Sequence, residues 1–362
     1  MTEKDDPMRR SFLTRSARAL ALAATVLATL PAAAPAARAE ELVFSSWGGA
    51  YQDAIRKAWL EPFAREARIS VTEDTGPELA KIRAMVQSNS VSWDVVTAGG
   101  AGLMLGVQQG LFEPITDAMV DQSQILPGAR NPYGVPSEIF STLVGYSRRA
   151  FPGAAPASFA DFWDVRKFPG KRTLPNKPAT VLEAALLAEG VAPSEIYPTL
   201  STPAGMERAL NKIRALRPHV AVWWSSGAQP VQALASGEAV MALGWNGRFQ
   251  AGMDEGLPIA MAWEQSIPQV GYFMIVKGAP NREAAVKFLR YMSTAAAQSR
   301  FSQYVAYGPA RLDALPLIEP ARLARLPSTP ERLAHALFMD IEWWAKHGQE
   351  AQEKYTAVMQ GN

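Results

Sequence analysis

One unit recurs along this chain and dictates how it can fold: a short apolar strand, a turn of small or polar residues, then a helix start. Its first instance is 42–51, Leu-Val-Phe-Ser-Ser-Trp-Gly-Gly-Ala-Tyr. The apolar run 42–45 reads as a buried strand. Gly48 and Gly49 then allow backbone angles that other residues avoid. From Tyr51 onward the period is helical, with Tyr51, Ile55, Trp59 and Phe63 four apart on one face. Pro62 is expected to kink that helix or end it early. The same form returns at 98–103, 174–180, 224–229 and 244–248. Strands alternating with helices imply an α/β fold with mostly parallel sheets flanked by helices. Such junctions then gather at the carboxyl edges of the strands, where open sheets of this kind hold their ligands.

The chain continues in that rhythm. Strands are expected at 69–73, 94–97, 139–146, 171–174, 220–223 and 239–243, with further apolar runs at 259–263 and 272–276. Helices are expected at 78–88, 103–109, 179–189, 206–216, 228–236 and 281–292. Ser158 begins another as its N-cap. The tail 330–359, which carries Trp343 and Trp344, reads as mostly helical. The proline- and alanine-rich segment 151–156 reads as a linker between two such series, hence two lobes.

The first residues are an address. Arg9 and Arg10 form a twin-arginine pattern, 19–30 is an apolar run too short to span a bilayer comfortably, and Ala37-Arg38-Ala39 is a cleavage site. The expectation is export by the twin-arginine route, cleavage after Ala39 and a periplasmic location. The leader holds six basic and three acidic residues, so the remaining 323 residues carry 30 basic and 31 acidic groups, a formal net of −1. That balance gives no basic face for nucleic acid. With no cysteine there is no disulfide, thiolate metal site, cysteine nucleophile or lipid-anchored cysteine. His219, His335 and His347 are the only histidines and show no metal-ligand spacing. No G-x-S-x-G nucleophile elbow or phosphate-binding P-loop occurs. No cofactor is called for, and the chain is not expected to be an enzyme.

If the first two junctions belong to one lobe and the last three to another, they face each other across a cleft. The candidate binding residues are Trp47, Gly48, Gly49 and Tyr51; Gly99 and Gly100; Lys177 and Thr180; Ser225 and Ser226; Trp245, Asn246 and Arg248; and Tyr272. Aromatic walls with a few placed polar groups are the usual form of a small-molecule site. Each has a plainer reading: Trp47 and Tyr51 as core, Ser225-Ser226 as a simple N-cap, Arg248 as a solvated helix start.

Six motifs in this order look familiar: 46–51 (Ser-Trp-Gly-Gly-Ala-Tyr), 93–96 (Trp-Asp-Val-Val), 133–136 (Tyr-Gly-Val-Pro), 236–238 (Ser-Gly-Glu), 245–247 (Trp-Asn-Gly) and 277–281 (Lys-Gly-Ala-Pro-Asn). The chain resembles the periplasmic solute-binding proteins of ABC importers, of the spermidine/putrescine-binding type, over 42–362. The resemblance implies a two-lobed periplasmic-binding-protein fold (type II) with several hinge crossings. Lobe 1 would be 40–143 with 266–307, and lobe 2 144–265 with 308–362. It also implies a solute held between the lobes, delivery to a membrane permease, and a monomer. Polyamine specificity does not carry over. Where the family type has carboxylates for ammonium groups, this chain has Gly49, Lys177, Thr180 and Gly271, while Trp47 and Trp245 are kept. A lysine facing a polyamine would repel it. A zwitterionic or carboxylate-bearing solute is therefore expected. The alternatives are a true polyamine binder, a secreted enzyme on the same fold, or a chemosensory binding protein.

Overall fold

The computed structural model describes residues 40–334 and 336–361. The twin-arginine leader, its cleavage site and His335 lie outside the described residues. Among the described residues, eight strands form one sheet: β1 (Glu41–Ser46), β2 (Ser70–Thr75), β3 (Val95–Gly99), β4 (Val135–Ser147), β5 (Arg172–Pro175), β6 (Val220–Trp224), β7 (Met241–Trp245) and β8 (Ile259–Ile275). Their order is β2-β1-β3-β8-β4-β7-β5-β6. The two ends are parallel, as the strand–helix alternation requires. The middle is antiparallel, through β3–β8, β8–β4 and β4–β7.

Two strands are longer than the sequence suggests. The strand expected at 139–146 runs from Val135 to Ser147. The apolar runs 259–263 and 272–276 are the two ends of the single 17-residue strand β8. What hid the continuity is a wide irregularity. Thr142 pairs with Ile267 and Val144 with Ala262, so 263–266, including the polar Glu264 and Gln265, stand away from the ladder. The offset is used: Gln265 Oε1 accepts the Phe159 amide at 2.8 Å, at the start of helix Phe159–Trp163. Ser158 caps that helix as expected, its Oγ accepting the Asp161 amide at 3.2 Å. β8 pairs with β3 on one side, β4 with β7 on the other, and the two long strands pair with each other, so together they join the two parallel ends.

Pro62 does not end the first helix. Gly49–Ile55 leads into a π turn, Arg56–Leu60, and on through Glu61–Ala67. A proline removes the hydrogen bond to the carbonyl four residues back and crowds it. That carbonyl is Ala58 O, and Arg300 Nη1 donates to it from outside the helix at 3.0 Å. The wider turn and the external donor together make the proline tolerable. Ile55, Trp59 and Phe63 are buried, as the four-residue spacing demands.

The tail is also less uniform than its composition indicates. Two helices, Pro330–Leu333 and Ile341–Gln360, flank an extended stretch along β8. There Leu337 and Met339 donate their amides to Ser266 O and Pro268 O at 3.2 and 3.1 Å. Asp340 caps the last helix through the Trp343 amide at 2.9 Å. Trp344 then donates to the buried carboxylate of Glu183 at 2.6 Å.

Candidate functional site

The first junction is built for display. Gly48 and Gly49 both adopt positive φ, 71° and 58°, which a side chain would strain. Gln52 Oε1 ties the turn down by accepting the Gly48 amide and the Ser46 hydroxyl, each at 3.2 Å. Trp47 is thereby left 54% exposed at the rim of the loop. Tyr51, one turn on, points inward. Its hydroxyl donates to Glu138 Oε1 of β4 at 2.7 Å, and its ring meets Tyr307 and Phe301 at 6.5 and 6.1 Å.

From Tyr307 the aromatic contacts continue to the other end of the sheet. Tyr307 packs on Phe140 at 5.5 Å, Phe140 on Trp245 at 6.0 Å, and Trp245 on Trp224 at 5.4 Å. Strand alternation puts Glu138, Phe140 and Thr142 on one face of β4. Gln269 of β8 joins them, pairing with Phe140 in register and donating to Thr142 Oγ1 at 3.0 Å. Beside this floor lies a cavity of about 180 Å³ whose lining includes Tyr51, Tyr307, Arg248 and Arg322.

Two charges flank Tyr307. Burial raises its phenol pKa; the Arg248 guanidinium lowers it and the Glu138 carboxyl raises it further. Arg248 is half-buried and forms no ion pair among the described residues. Glu138 is 2% exposed, and burial pushes its carboxyl up to about 7, against the pull of Ser137 and the Tyr51 hydrogen bond.

The fold therefore brings together Tyr51, Trp245 and Arg248 of the expected set, with Trp47 at the rim. Others are placed differently. Asn246 is fully buried and holds backbone: Oδ1 accepts the Ser141 amide at 2.9 Å and Nδ2 donates to Ala306 O at 2.6 Å. Ser225 and Ser226 are exposed, but both amides donate to Gln229 Oε1, at 2.7 and 3.0 Å, so the anion seat is closed by the chain's own side chain. Tyr272 is 1% exposed in the core with Leu103 and Met274, because it points to the face of β8 opposite Gly271 and Phe273. Gly99 is exposed, whereas Gly100 leaves no room for a side chain against Ile341 of the last helix. Lys177 is exposed, and Thr180 is buried at φ 69° before helix Val181–Leu187. Glu138, Phe140, Gln269 and Tyr307 escaped the sequence reading. Glu138 carried one usable signal: it is the one charged residue of β4, a strand buried almost throughout.

Among the described residues, no group of three or more His, Cys, Asp or Glu side chains could hold a metal ion. No described helix is long and apolar enough to cross a membrane.

Comparison with known proteins agrees with this architecture. The family described as bacterial extracellular solute-binding protein matches residues 58–328. A gamma-aminobutyric acid-binding protein of Pseudomonas aeruginosa is 39% identical over 329 residues, covering 90% of this chain and 93% of that protein. The spermidine/putrescine-binding periplasmic protein of Escherichia coli is 24% identical, covering 83% of this chain and 86% of that one. The crystal structure of the PBP MotA from A. tumefaciens B6, in complex with glucopine, superposes with a TM-score of 0.82. That match has 37% identity and covers 88% of this chain and 99% of MotA.

Proposed function

We infer the cargo from one premise: the chain belongs to the bacterial extracellular solute-binding family. It is a substrate-binding component of an ABC transporter of the spermidine/putrescine-like group, and not an enzyme. Its cargo on our reading is a small amino-acid-type solute that bears a carboxylate. The observation that carries this is Arg248, a guanidinium with no ion-pair partner among the described residues, lining a cavity with the rings of Tyr51 and Tyr307. A guanidinium holds a carboxylate in two parallel hydrogen bonds, a fit that a lysine cannot copy. The rings of Trp245, Phe140 and Tyr307 supply apolar contact for the carbon skeleton. The similarity to a gamma-aminobutyric acid-binding protein and to a glucopine complex supports a cargo of this kind.

Calorimetric titration with gamma-aminobutyrate, other amino-acid-like and carboxylate solutes, putrescine and spermidine tests the reading. A carboxylate-bearing solute should bind and both polyamines should not. Arg248→Ala should weaken that solute by ~2–4 kcal/mol, roughly 30- to 1000-fold, as expected when a desolvated charge loses its partner. Micromolar polyamine binding, or full affinity in Arg248→Ala, would refute it.

The lobes are 40–143 with 266–307 and 144–265 with 308–362, closing on the solute about β4 and β8. Small-angle scattering of the same titrated samples should show contraction at saturation; an unchanged profile counts against closure. The loaded monomer delivers its cargo to a membrane permease. Twin-arginine export brings the chain to the periplasm, with cleavage after Ala39. Changing Arg9 and Arg10 together to lysine should abolish that export. Mature-length protein in the periplasm of the double variant would exclude the route.

A further inference from the structure

We propose that Glu138 is the cation-receiving residue of the solute site, so that the cargo is recognised by charge at two ends, its ammonium on β4 and its carboxylate at Arg248. The proposal deepens the carboxylate reading above and rests on it only for the second half of that pairing.

Three observations carry it. First, the Glu138 carboxyl is buried on the floor beside Phe140, and its Oε2 receives no hydrogen bond from any described group. A buried acceptor without a donor is costly, and the cost is removed when a donor arrives. No described lysine, arginine or histidine pairs with it, so the donor must come from elsewhere. Second, the neighbouring strand has made room for this carboxyl. Glu138 pairs in register with Gly271, and a Cβ on Gly271 would stand 2.6 Å from the carboxyl carbon. Third, the other carboxyl oxygen is fixed by the Tyr51 hydroxyl at 2.7 Å, which orients the group and leaves Oε2 as the buried oxygen without a donor.

The groups facing Glu138 make its protonation legible. Tyr51 approaches from the first helix and Tyr307 from the loop 304–309, both held neutral because burial raises their phenols. Arg248 lies beyond Tyr307 on helix Asn246–Asp254. The free carboxyl titrates near neutrality, at about 7, and an ammonium selects the ionised form. Binding of an amine should therefore release a proton at low pH and weaken there.

The test uses three probes by calorimetry: gamma-aminobutyrate, butylammonium with the amine alone, and butanoate with the carboxylate alone. Glu138→Gln keeps an oxygen for the Tyr51 hydroxyl but no charge. It should lose about 30-fold or more in affinity for both amines at pH 8.5 and bind butanoate as the wild type does. Arg248→Ala should show the reverse, keeping butylammonium and losing butanoate. Wild-type affinity for gamma-aminobutyrate should fall about 30-fold between pH 8.5 and 5.5, and Glu138→Gln should be flat. Equal amine affinity in Glu138→Gln and wild type, no amine binding by the wild type, or a flat wild-type pH profile each overturns the proposal. The butanoate result with Arg248→Ala judges the carboxylate reading separately.

Discussion

Trp59→Ala is expected to lower the unfolding free energy by about 3–5 kcal/mol, the range for deleting a fully buried tryptophan. Its indole is 0% exposed and stacks on Phe301 at 4.3 Å, with Phe273 edge-on at 5.4 Å. Its Nε1–H donates to Ala297 O at 2.7 Å, a buried hydrogen bond that the alanine removes. Trp59 also sits in the π turn that accommodates Pro62, so the surrounding backbone is poorly placed to collapse into the void. Because Phe301 packs on Tyr51, solute affinity should fall with stability. Urea unfolding with an unchanged slope checks the first part. A loss under 1 kcal/mol would mean that the cavity refills and that the stack contributes little.

Arg172→Leu should be of similar size, about 3–5 kcal/mol, for a different reason. Arg172 lies in β5 with 0% exposure, yet no carboxylate pairs with it among the described residues. Its guanidinium is solvated by backbone instead: Phe162 O at 3.0 Å, Gly170 O at 2.7 Å and Phe168 O at 2.6 Å. Burial pushes its pKa down to about 10, so it stays charged at neutral pH. Leucine keeps apolar volume but strands those carbonyls, which a hydrophobic isostere cannot satisfy. Arg172→Lys should recover only part of the loss, since one ammonium cannot span three diverging acceptors. Thermal unfolding of the two variants separates lost charge from lost geometry. Equal stability of Arg172→Leu and wild type would show that water takes over the carbonyls.

How much of this could be read beforehand depends on whether a feature is local. The alternation of strand and helix, the Ser158 cap and the glycine turn at 48–49 are set by neighbours in sequence, and they were legible. Tyr51, Trp245 and Arg248 were expected at strand–helix junctions, and the fold has them there. The misplacements come from partners far along the chain. Asn246 and Ser225 have the right chemistry for a ligand, but Ser141, Ala306 and Gln229 already engage their polar groups. Tyr272 was on the right strand and the wrong face, since a one-residue difference in a strand reverses direction. Glu138 is the clearest case. The acid missing at position 271 is matched by a carboxyl in the same space, supplied by the adjacent strand through pairing between residues 138 and 271. Nothing within either strand alone announces that exchange.

The continuity of β4 and β8 also bears on damage. The exposed loop tip 152–155 offers a proteolytic cut point. A break there severs the covalent path between β4 and β5 but touches no ladder. The upstream fragment would carry β4 away only by tearing it from β7 on one edge and from β8 along nearly its whole length. A nicked molecule should therefore persist as a non-covalent pair of fragments, because the two long central strands lace the pieces together.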